Sequence, residues 1–502
     1  MLKCTGHYGT PDRVAADVYI IPFPGDKALF QKTLNQICPG LKALITGLRE
    51  NGDFSGKADE TVALATADGR FILTGLGEAD GMGVERVRRA FAQAVKLSNG
   101  YVTQAIALYC PLEEIVKKIL PVSFEDTVVA MLEGASLALY KYNAFVKVKP
   151  DDKKGKAKEF KILTTDEGYQ SRLKTAIHEA TIIVEAVELA RDLSNAPANV
   201  MDIDALTKEA VAIGKKFLIK TVVLNKKEIQ ANKMGGLLAV NQGSSREPRF
   251  IVMEYNEKKR RLPPFVLVGK GVTFDSGGLC IKPAASMDEM KMDMSGAAAV
   301  LGTMYAVAKL KLPIRVVALI PVTDNMTGGA AYCPGDIITI SDGTTVEVKN
   351  TDAEGRLILA DALVYAQRFK PAAIIDVATL TGAVVVALAS HATGMMGNDD
   401  DLMADIKEAG NKTFERVWEL PMFEEYKKML KSDVADMSNL GGKWGGAITA
   451  AAFLQHFVGD YPWVHLDIAG TAMLESASDY QPKGGTGVGV RLLTAFLRQQ
   501  EA

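Results

Sequence analysis

The first third of the chain alternates between segments with the hydrophobic pattern of strands and segments with that of helices. Alternating apolar positions in residues 60–76 predict two short strands around an Asp-Gly turn, and apolar positions at helical spacing in residues 83–98 predict a helix. A buried strand is predicted in residues 101–110, and a second helix in residues 124–142. This order is typical of an α/β domain with a largely parallel sheet. We assign that domain to residues 1–166.

A long helical pattern separates this domain from the rest of the chain. Residues 169–195 keep helical spacing almost throughout and Pro197 forbids continuation, so we predict a connecting helix within residues 167–197. Residues 198–502 form a second, larger α/β unit, in which helical stretches lie between apolar runs. Its strands are predicted in residues 217–225, 249–255, 264–271, 314–323 and 372–380.

Composition narrows the class of protein. A chain of 502 residues is too long for one ordinary core, so two or more domains are expected. The net charge of −2 gives no reason to expect nucleic acid or a membrane surface as the main partner. The five cysteines show no CxxC spacing, which indicates reduced thiols. Because neither a secretory signal nor an apolar run of about 18 residues is visible, we expect a cytoplasmic protein.

A lysine-rich stretch, Lys147–Lys161, permits two interpretations. It binds nucleic acid as a second activity of the N-terminal domain, or it is a solvated loop at a domain edge. Two Asp and one Glu interrupt the lysines, and aromatic residues are not interleaved with them. The solvated loop is therefore the favoured interpretation, and salt-dependent retention on DNA would reveal the other.

Charged residues gather around one predicted strand of the second unit. Lys270 ends the apolar run of residues 265–270, Asp275 follows in a glycine-rich turn, and Lys282 and Asp293 come shortly after. Taken singly, a lysine at a strand end is usually solvated, and an aspartate before a helix usually caps it. In open α/β sheets, however, function gathers where strands end in loops. These positions are therefore candidates for one site.

A second charged segment follows the strand-like residues 344–349. Asp352 and Glu354 lie two residues apart, so on an extended chain both side chains point the same way, and Arg356 continues that alternation before a helical pattern begins. Carboxylates that converge repel each other unless cations hold them, and oxygen-rich ligation suits Mn²⁺, Mg²⁺ or Zn²⁺. The five histidines lack HExxH spacing, so a conventional zinc-protease helix is not expected.

Three motifs carry a resemblance to a known family. They are VGKGVTFDSGGL, MDEMKMDMSGAAAV and NTDAEGRL, and together they closely resemble the leucine aminopeptidase (cytosol aminopeptidase) family of bacterial type. The resemblance extends over essentially all of the chain after residue 170. It implies a macro-like N-terminal α/β domain and a larger, zinc-exopeptidase-like α/β catalytic domain, with a central mixed sheet flanked by helices. It also implies a homohexamer, built as a dimer of trimers.

The resemblance implies two divalent metal ions per subunit, Mn²⁺ or Zn²⁺. Lys270, Asp275, Asp293 and Glu354 would hold the tighter ion. Asp275, Asp352 and Glu354 would hold the more exchangeable ion, so Asp275 and Glu354 would bridge the two. A lysine must lose its proton to bind a metal ion, and burial beside a dication lowers the lysine pKa in that direction.

The resemblance also implies catalytic and substrate-binding roles. Lys282 would stabilise the oxyanion of the tetrahedral intermediate, and Arg356 would hold a bicarbonate ion that acts as general base. One metal ion would take the free α-amine of the substrate, which restricts cleavage to the N-terminal residue. The substrate-binding positions implied by the resemblance are Met290, Thr379, Leu380 and Gly382.

We therefore expect a metal-dependent leucyl aminopeptidase that releases N-terminal leucine and other apolar residues from peptides. The alternative is a different two-metal hydrolase, such as a phosphoesterase, because Lys282 and Arg356 would also suit phosphate. The motif NTDAEGRL does not belong to that class. Cys280 departs from the small residue, such as serine, that is expected between the ligands. A buried thiol there either makes activity sensitive to oxidation or serves packing alone.

Overall fold

Two compact units make up the chain. The first comprises Met1–Glu185 and Ser476–Pro482, and the second comprises Ala186–Glu475 and Lys483–Ala502. Most of the lysine-rich stretch, residues 148–156, lies outside the described residues, so its nucleic-acid interpretation stays a prediction. The computed structural model describes residues 2–11, 13–37, 39–67, 69–78, 83–111, 117–118, 122–147, 157–259 and 261–501.

The first unit is built on a six-stranded sheet. Its strands are β1 (Lys3–Tyr8), β2 (Val18–Pro24), β3 (Thr61–Thr66), β4 (Gly69–Gly77), β5 (Ala105–Tyr109) and β6 (Glu159–Thr164). They lie in the order β1-β6-β5-β2-β4-β3, with β3 antiparallel to β4 and the other neighbours parallel. All seven residues of β2 are buried, which is expected of a parallel strand inside a sheet that is covered on both faces.

Helices pack on this sheet. They are α1 (Lys27–Ile37), α2 (Lys42–Glu50), α3 (Val84–Ser98) and α4 (Phe124–Leu137). Ser123 caps α4 by accepting a hydrogen bond from the Asp126 amide, which satisfies one amide of the first turn. The apolar core includes Tyr19, Phe23 and Phe30. The alternation of strands and helices predicted for the first third of the chain is confirmed.

A long helix occupies the predicted connecting segment. This helix, α5 (Gln170–Asn195), ends two residues before Pro197, and the two compact units part within it after Glu185. Further helices of the second unit are α6 (Ile203–Phe217), α7 (Lys226–Ala231), α8 (Gly235–Asn241), α9 (Ala284–Met287), α10 (Ser295–Leu310), α11 (Gly355–Ala366), α12 (Gly382–Leu388), α13 (Asp400–Thr413), α14 (Glu424–Lys428), α15 (Gly446–Gln455) and α16 (Val490–Gln499).

The strands of the second unit form a large mixed sheet and two small ones. They are β7 (Lys220–Leu224), β8 (Arg249–Tyr255), β9 (Phe265–Gly269), β10 (Gly271–Asp275), β11 (Val316–Asn325), β12 (Ile337–Thr339), β13 (Thr345–Glu347), β14 (Ala373–Ala378), β15 (Thr393–Gly397), β16 (Val417–Glu419), β17 (Met437–Ser438), β18 (Trp463–Asp467), β19 (Met473–Leu474) and β20 (Gly484–Gly485).

The large sheet places several strand ends side by side. Its order is β16-β15-β18-β14-β9-β11-β8-β7, and β10 also pairs with β11. The strands β18, β14, β9 and β11 run parallel, so their carboxyl ends meet at one edge. Antiparallel pairing of β15 with β18 and of β8 with β11 makes the sheet mixed. A separate three-stranded sheet has the order β12-β13-β17.

Helix α10 begins directly against the large sheet. A Cβ atom at Gly296, the second residue of α10, would lie only 2.1 Å from the carbonyl oxygen of Val377 in β14. Glycine is therefore required for this close approach. The approach brings Asp293, two residues before α10, next to the carboxyl ends of β9 and β14.

The fold class predicted from the sequence is confirmed. Both units are α/β, and the second has a central mixed sheet with helices packed on it. The predicted strands in residues 217–225, 249–255 and 264–271 correspond to β7, β8 and β9. Within the part of the chain that the structure describes, no helix combines the length and the apolar character that a membrane crossing requires.

Candidate active site

The predicted site residues come from neighbouring strand ends of the large sheet. Lys270 directly follows β9, Thr379 directly follows β14, and Asp275 is the last residue of β10. Gly269 pairs with Val377 in the parallel register of β9 and β14, so Lys270 and Thr379 leave the sheet close together. The rule that function gathers at the carboxyl ends of parallel strands therefore locates this cluster correctly.

Lys270 lies at the centre of the cluster. Its Nζ atom is 2.8 Å from Asp293 Oδ2, 2.8 Å from Glu354 Oε1 and 2.9 Å from the carbonyl oxygen of Thr379. The side chain is buried. Burial alone would lower the pKa of Lys270, but the negative charges of Asp293 and Glu354 outweigh burial and raise this pKa above its ordinary value.

A second lysine pairs with the other two carboxylates. Lys282 Nζ lies 2.8 Å from Asp275 Oδ2 and 2.5 Å from Asp352 Oδ1. Burial lowers the pKa of Lys282, and the charges of Asp275 and Glu354 outweigh that effect, so the pKa is raised. The side chain keeps 16% of its surface exposed, so this ammonium group, unlike that of Lys270, faces accessible space.

Three buried carboxylates can hold a metal ion. Asp275, Asp293 and Glu354 each offer an oxygen, and the three oxygens lie within 4.8 Å of one another. Burial raises the pKa of Asp293 and of Glu354, because the charged forms lose solvation. Among the described residues, no hydrogen-bond donor satisfies Glu354 Oε2. An unsatisfied carboxylate oxygen in a buried cluster fits a divalent cation.

The geometry around Asp352 differs from the prediction. We expected Asp352 and Glu354 to share a face of an extended chain, but Thr351 and Asp352 form a turn. Glu354 has φ −78° and ψ −37°, which are helical values, and it directly precedes α11. The extended alternation is therefore wrong, and a turn followed by a helix start brings both carboxylates to the cluster. Asp352 lies on the side of Lys282, outside the three-carboxylate group.

Gly355 leaves room for Lys270. A Cβ atom at this position would lie 2.6 Å from Lys270 Cε and 3.0 Å from Leu380 Cδ1. The glycine of the motif NTDAEGRL thus lets the first turn of α11 approach the lysine and the predicted substrate-binding Leu380. The close approach of Gly355 to Lys270 places the adjacent Glu354 beside the strand ends.

Arg356 is buried beside this cluster. Its Nη1 atom donates a 2.8 Å hydrogen bond to the carbonyl oxygen of Asn439, whereas its Nε atom has no hydrogen-bond partner in the described structure. Burial lowers the pKa of Arg356 to about 10, although the charges of Glu354 and Asp467 act in the opposite direction. A buried guanidinium group with an unsatisfied donor fits an anion.

The remaining predicted positions lie in the segment after β14 and in the segment before Asp293. Thr379 is buried and donates a 2.7 Å hydrogen bond to Asp293 Oδ1, so it belongs to the cluster. Gly382 begins α12, directly after Thr381, which caps that helix. Met290 is partly exposed and lies in a short 3₁₀ helix, Asp288–Met292, just before Asp293. Cys280 is also partly exposed, and its amide donates a hydrogen bond to Thr351 Oγ1.

Sequence reasoning missed three residues that hold the site in place. Asn325 Nδ2 donates to Asp275 Oδ1 over 2.9 Å, and Asp467 accepts hydrogen bonds from the Leu380 amide and the Thr381 hydroxyl. Asn439 contacts the loop that carries Asp352. Asn325 and Asp467 are the last residues of β11 and β18, so the same strand-end rule could have found them. No comparable signal marks Asn439.

Comparison with models of known protein families shows which family the chain belongs to. The model of the cytosol aminopeptidase family, catalytic domain, matches residues 188–494, and the model of that family's N-terminal domain matches residues 21–149. The chain belongs to the cytosol aminopeptidase family. The resemblance recognised from the three motifs is confirmed.

Relatives and solved structures agree with this assignment. A probable cytosol aminopeptidase of Roseiflexus castenholzii is 45% identical over 464 residues, which cover 91% of this chain and 93% of the relative. One from Geobacter sulfurreducens is 44% identical over 480 residues, covering 94% of each chain. A mutant of tomato leucine aminopeptidase superposes with a TM-score of 0.88 at 32% identity, covering 100% of this chain and 97% of the other.

A further similar structure was solved as a complex with a metal. The bottromycin maturation enzyme BotP in complex with Mn is 32% identical, with a TM-score of 0.85, and the match covers 97% of this chain and all of BotP. Together, these findings make the chain a hydrolase of the aminopeptidase type. They favour this activity over the two-metal phosphoesterase that the same ligand types would allow.

Proposed function

We propose that this cytosol aminopeptidase releases N-terminal residues, preferentially leucine and other apolar residues, from peptides with the help of two divalent metal ions. The observation that carries the proposal is the buried group of Asp275, Asp293 and Glu354, whose oxygens lie within 4.8 Å of one another at the strand ends. Family membership supplies the reaction class. The carboxylate cluster supports the strand ends as the place where the reaction occurs.

The donor set supports two metal ions, Mn²⁺ or Zn²⁺. The tighter ion would be held by Lys270, Asp275, Asp293 and Glu354, and the more exchangeable one by Asp275, Asp352 and Glu354. Glu354 Oε2, which lacks a hydrogen-bond donor, supports this assignment, as does the solved complex of BotP with Mn. Bound divalent ions supply Lewis-acid chemistry, because they polarise a carbonyl group and make water more acidic.

Lys282 would stabilise the oxyanion that develops during peptide hydrolysis. Its ammonium group is held between Asp275 and Asp352 and is partly exposed, so it can donate to a substrate oxygen without entering the buried cluster. A donor of this kind contributes about 2.7–4 kcal/mol to transition-state stabilisation.

Arg356 would hold a bicarbonate ion and thereby place a proton acceptor beside the scissile bond. The unsatisfied Nε donor and the burial of the guanidinium group support an anion at this position. In the described structure, Arg356 is anchored through Nη1 to the Asn439 carbonyl oxygen, which leaves Nε available for the anion. A planar, delocalised cation matches the two oxygens of a carboxylate-like ligand.

The substrate would lie along the loop that follows β14. Thr379, Leu380 and Gly382 would bind its backbone, and Met290 would contact the side chain of its N-terminal residue. Asp467 supports this role of the loop, because it accepts hydrogen bonds from the Leu380 amide and from the Thr381 hydroxyl at 3.1 and 2.6 Å. A loop fixed in this way can orient a peptide without being ordered by it.

We further propose a cytoplasmic homohexamer. The names of the relatives, cytosol aminopeptidases, support the compartment. Large apolar side chains that are exposed on the second unit support self-association; they include Val386, Trp418, Phe423 and Trp444. Light scattering coupled to gel filtration tests this, and a mass near six chains of 54.0 kDa is expected. A monomer would refute the hexamer without affecting the proposed chemistry.

Hydrolysis of leucine-p-nitroanilide beside its N-acetylated twin tests the activity. The protein is treated with a chelator and then given Mn²⁺ or Zn²⁺. We expect hydrolysis of the free-amine substrate alone, restored by metal and lost in Glu354→Ala. Equal turnover of both substrates would contradict recognition of the free amine. Absence of turnover in a folded, metal-supplemented sample would overturn the proposed function.

A further inference from the structure

Asn439 forms several hydrogen bonds with the motif NTDAEGRL, although it is distant from that motif in sequence. It lies directly after β17, which pairs in parallel with β13. Its amide nitrogen continues that pairing by donating a 3.0 Å hydrogen bond to the Glu347 carbonyl oxygen. The pairing brings Asn439 beside the loop that leads from β13 to Asp352. The residue is completely buried.

The side-chain amide of Asn439 uses both its acceptor and its donors on this loop. Its Oδ1 atom accepts hydrogen bonds from the amides of Lys349 and Asn350, at 2.8 and 3.4 Å. Its Nδ2 atom donates to the carbonyl oxygens of Asn350 and Ala353, at 2.7 and 3.5 Å. The planar amide thus bridges backbone groups on both sides of Asp352, and Ala353 directly precedes Glu354.

Two further contacts extend this hold to the functional groups. Asn350 Oδ1 accepts a 2.8 Å hydrogen bond from the Asp352 amide, so the residue that Asn439 fixes also fixes Asp352. The backbone carbonyl oxygen of Asn439 accepts the 2.8 Å hydrogen bond from Arg356. Through these hydrogen bonds, Asn439 fixes the position of Asp352, the backbone directly before Glu354 and the orientation of Arg356.

We propose that Asn439 is a positioning residue. It holds Arg356 and residues 349–354, the metal-binding loop that carries Asp352 and Glu354, in one arrangement. This inference rests on the proposed function, because it assigns Asp352 and Glu354 to metal binding. Asn439 itself touches neither substrate nor the reacting atoms. Residues that orient metal ligands from outside typically change metal affinity by 10–100-fold when they are replaced. Asparagine suits this position because one planar group must supply both a donor and an acceptor.

The test is Asn439→Asp in the full-length chain, which keeps the shape but replaces the Nδ2 donor with an oxygen that faces two carbonyl groups. Mn²⁺ is titrated calorimetrically into chelator-treated protein, at a temperature well below the unfolding midpoint of each variant. We expect the dissociation constant for Mn²⁺ to rise by about 10–100-fold. We also expect kcat for leucine-p-nitroanilide to stay below the wild-type value at saturating Mn²⁺, because Arg356 is displaced.

A control is Asn398→Asp, which makes the same change in an exposed asparagine. Asn398 also bridges two backbone groups, because its Oδ1 atom accepts from the Trp463 amide at 2.7 Å and its Nδ2 atom donates to the Tyr461 carbonyl oxygen at 3.0 Å. It has no described contact with the metal-binding loop. Its Mn²⁺ affinity and kcat should match the wild type, even where its unfolding midpoint falls.

The outcomes separate this inference from the proposed function. A wild-type protein that neither binds Mn²⁺ nor cleaves the substrate refutes the proposed function. A wild-type protein that does both, beside a folded Asn439→Asp variant of unchanged affinity, refutes only the positioning role. Asn439→Ala removes the amide without adding a charge, and it replaces the first variant if Asn439→Asp does not fold. Failure of both to fold would make Asn439 a structural residue and overturn the inference.

Discussion

Replacement of Gly355 by alanine should disable the enzyme through a shift of one buried lysine. The added Cβ atom would lie 2.6 Å from Lys270 Cε and 2.8 Å from Lys270 Nζ. Carbon atoms pack best at about 3.5–4.0 Å, so the end of Lys270 must move by about 1 Å. It cannot move freely, because Asp293, Glu354 and the Thr379 carbonyl oxygen hold its Nζ atom at 2.8–2.9 Å.

The consequences for activity and stability differ in size. A displacement of about 1 Å in a catalytic arrangement costs about 100-fold in rate, which corresponds to about 2.7 kcal/mol of transition-state stabilisation. Overpacking costs about 1–3 kcal/mol of folding free energy, and the better helix propensity of alanine returns about 1 kcal/mol. We therefore expect Gly355→Ala to lose about 100-fold in kcat/KM while its free energy of unfolding falls by only about 0–2 kcal/mol.

Kinetics at saturating Mn²⁺ and urea unfolding measure the two effects on the same samples. Gly302→Ala is the matched control, because a Cβ atom at this position of α10 would lie 2.7 Å from Val490 Cγ2 and 2.8 Å from the Ala186 carbonyl oxygen. It creates a similar clash that does not involve Lys270. Wild-type kcat/KM in Gly355→Ala, or an equal loss of activity in Gly302→Ala, would refute the reasoning.

Three further substitutions test other parts of the molecule. Lys282→Ala should lower kcat by about 10²–10³-fold in steady-state kinetics, because an oxyanion donor is lost. Thr381→Val should cost about 0.5–2 kcal/mol in urea unfolding and raise KM, since it removes the cap of α12 and the 2.6 Å bond to Asp467. His465 in β18 is buried, and its Nδ1 atom lies 2.5 Å from Asp376 Oδ1 in β14. Burial lowers the pKa of His465, but the charge of Asp376 outweighs burial and raises it. The stability that this pair contributes is fully present below pH 6.5 and is lost as the pH rises through the raised pKa of His465. In the wild type the free energy of unfolding should therefore fall over this pH range, and in His465→Gln this fall should be absent.

The sequence predicted the parts of the site that depend on local pattern. Lys270 was placed at the end of a strand because an apolar run stops there, and the structure puts it at the end of β9. Asp293 was placed before a helix, and α10 begins two residues later. Both predictions follow from the burial requirements of short segments, which periodicity reveals.

The arrangement of Asp352 and Glu354 depends on contacts that periodicity does not record. The turn at residues 351–352 is fixed by Asn439 and Asn325, which contact the backbone between Lys349 and Ala353. Asn439 directly follows β17 and Asn325 ends β11, so both partners are distant in the sequence. The pattern of alternating residues suggested an extended chain because it contained no information about these hydrogen bonds. The assignment of individual residues to two metal ions and to a bicarbonate ion came from the family resemblance and not from spacing.

The order of strands in the large sheet has a consequence for protein synthesis. β14 and β15 follow each other along the chain, yet β18, which emerges from the ribosome much later, lies between them. Until β18 is made, β15 has no partner on that side, and Asp467 is not available to hold Leu380 and Thr381. The loop after β14 therefore lacks this support in a nascent chain until β18 has been made. We expect aminopeptidase activity to appear only after that point of synthesis.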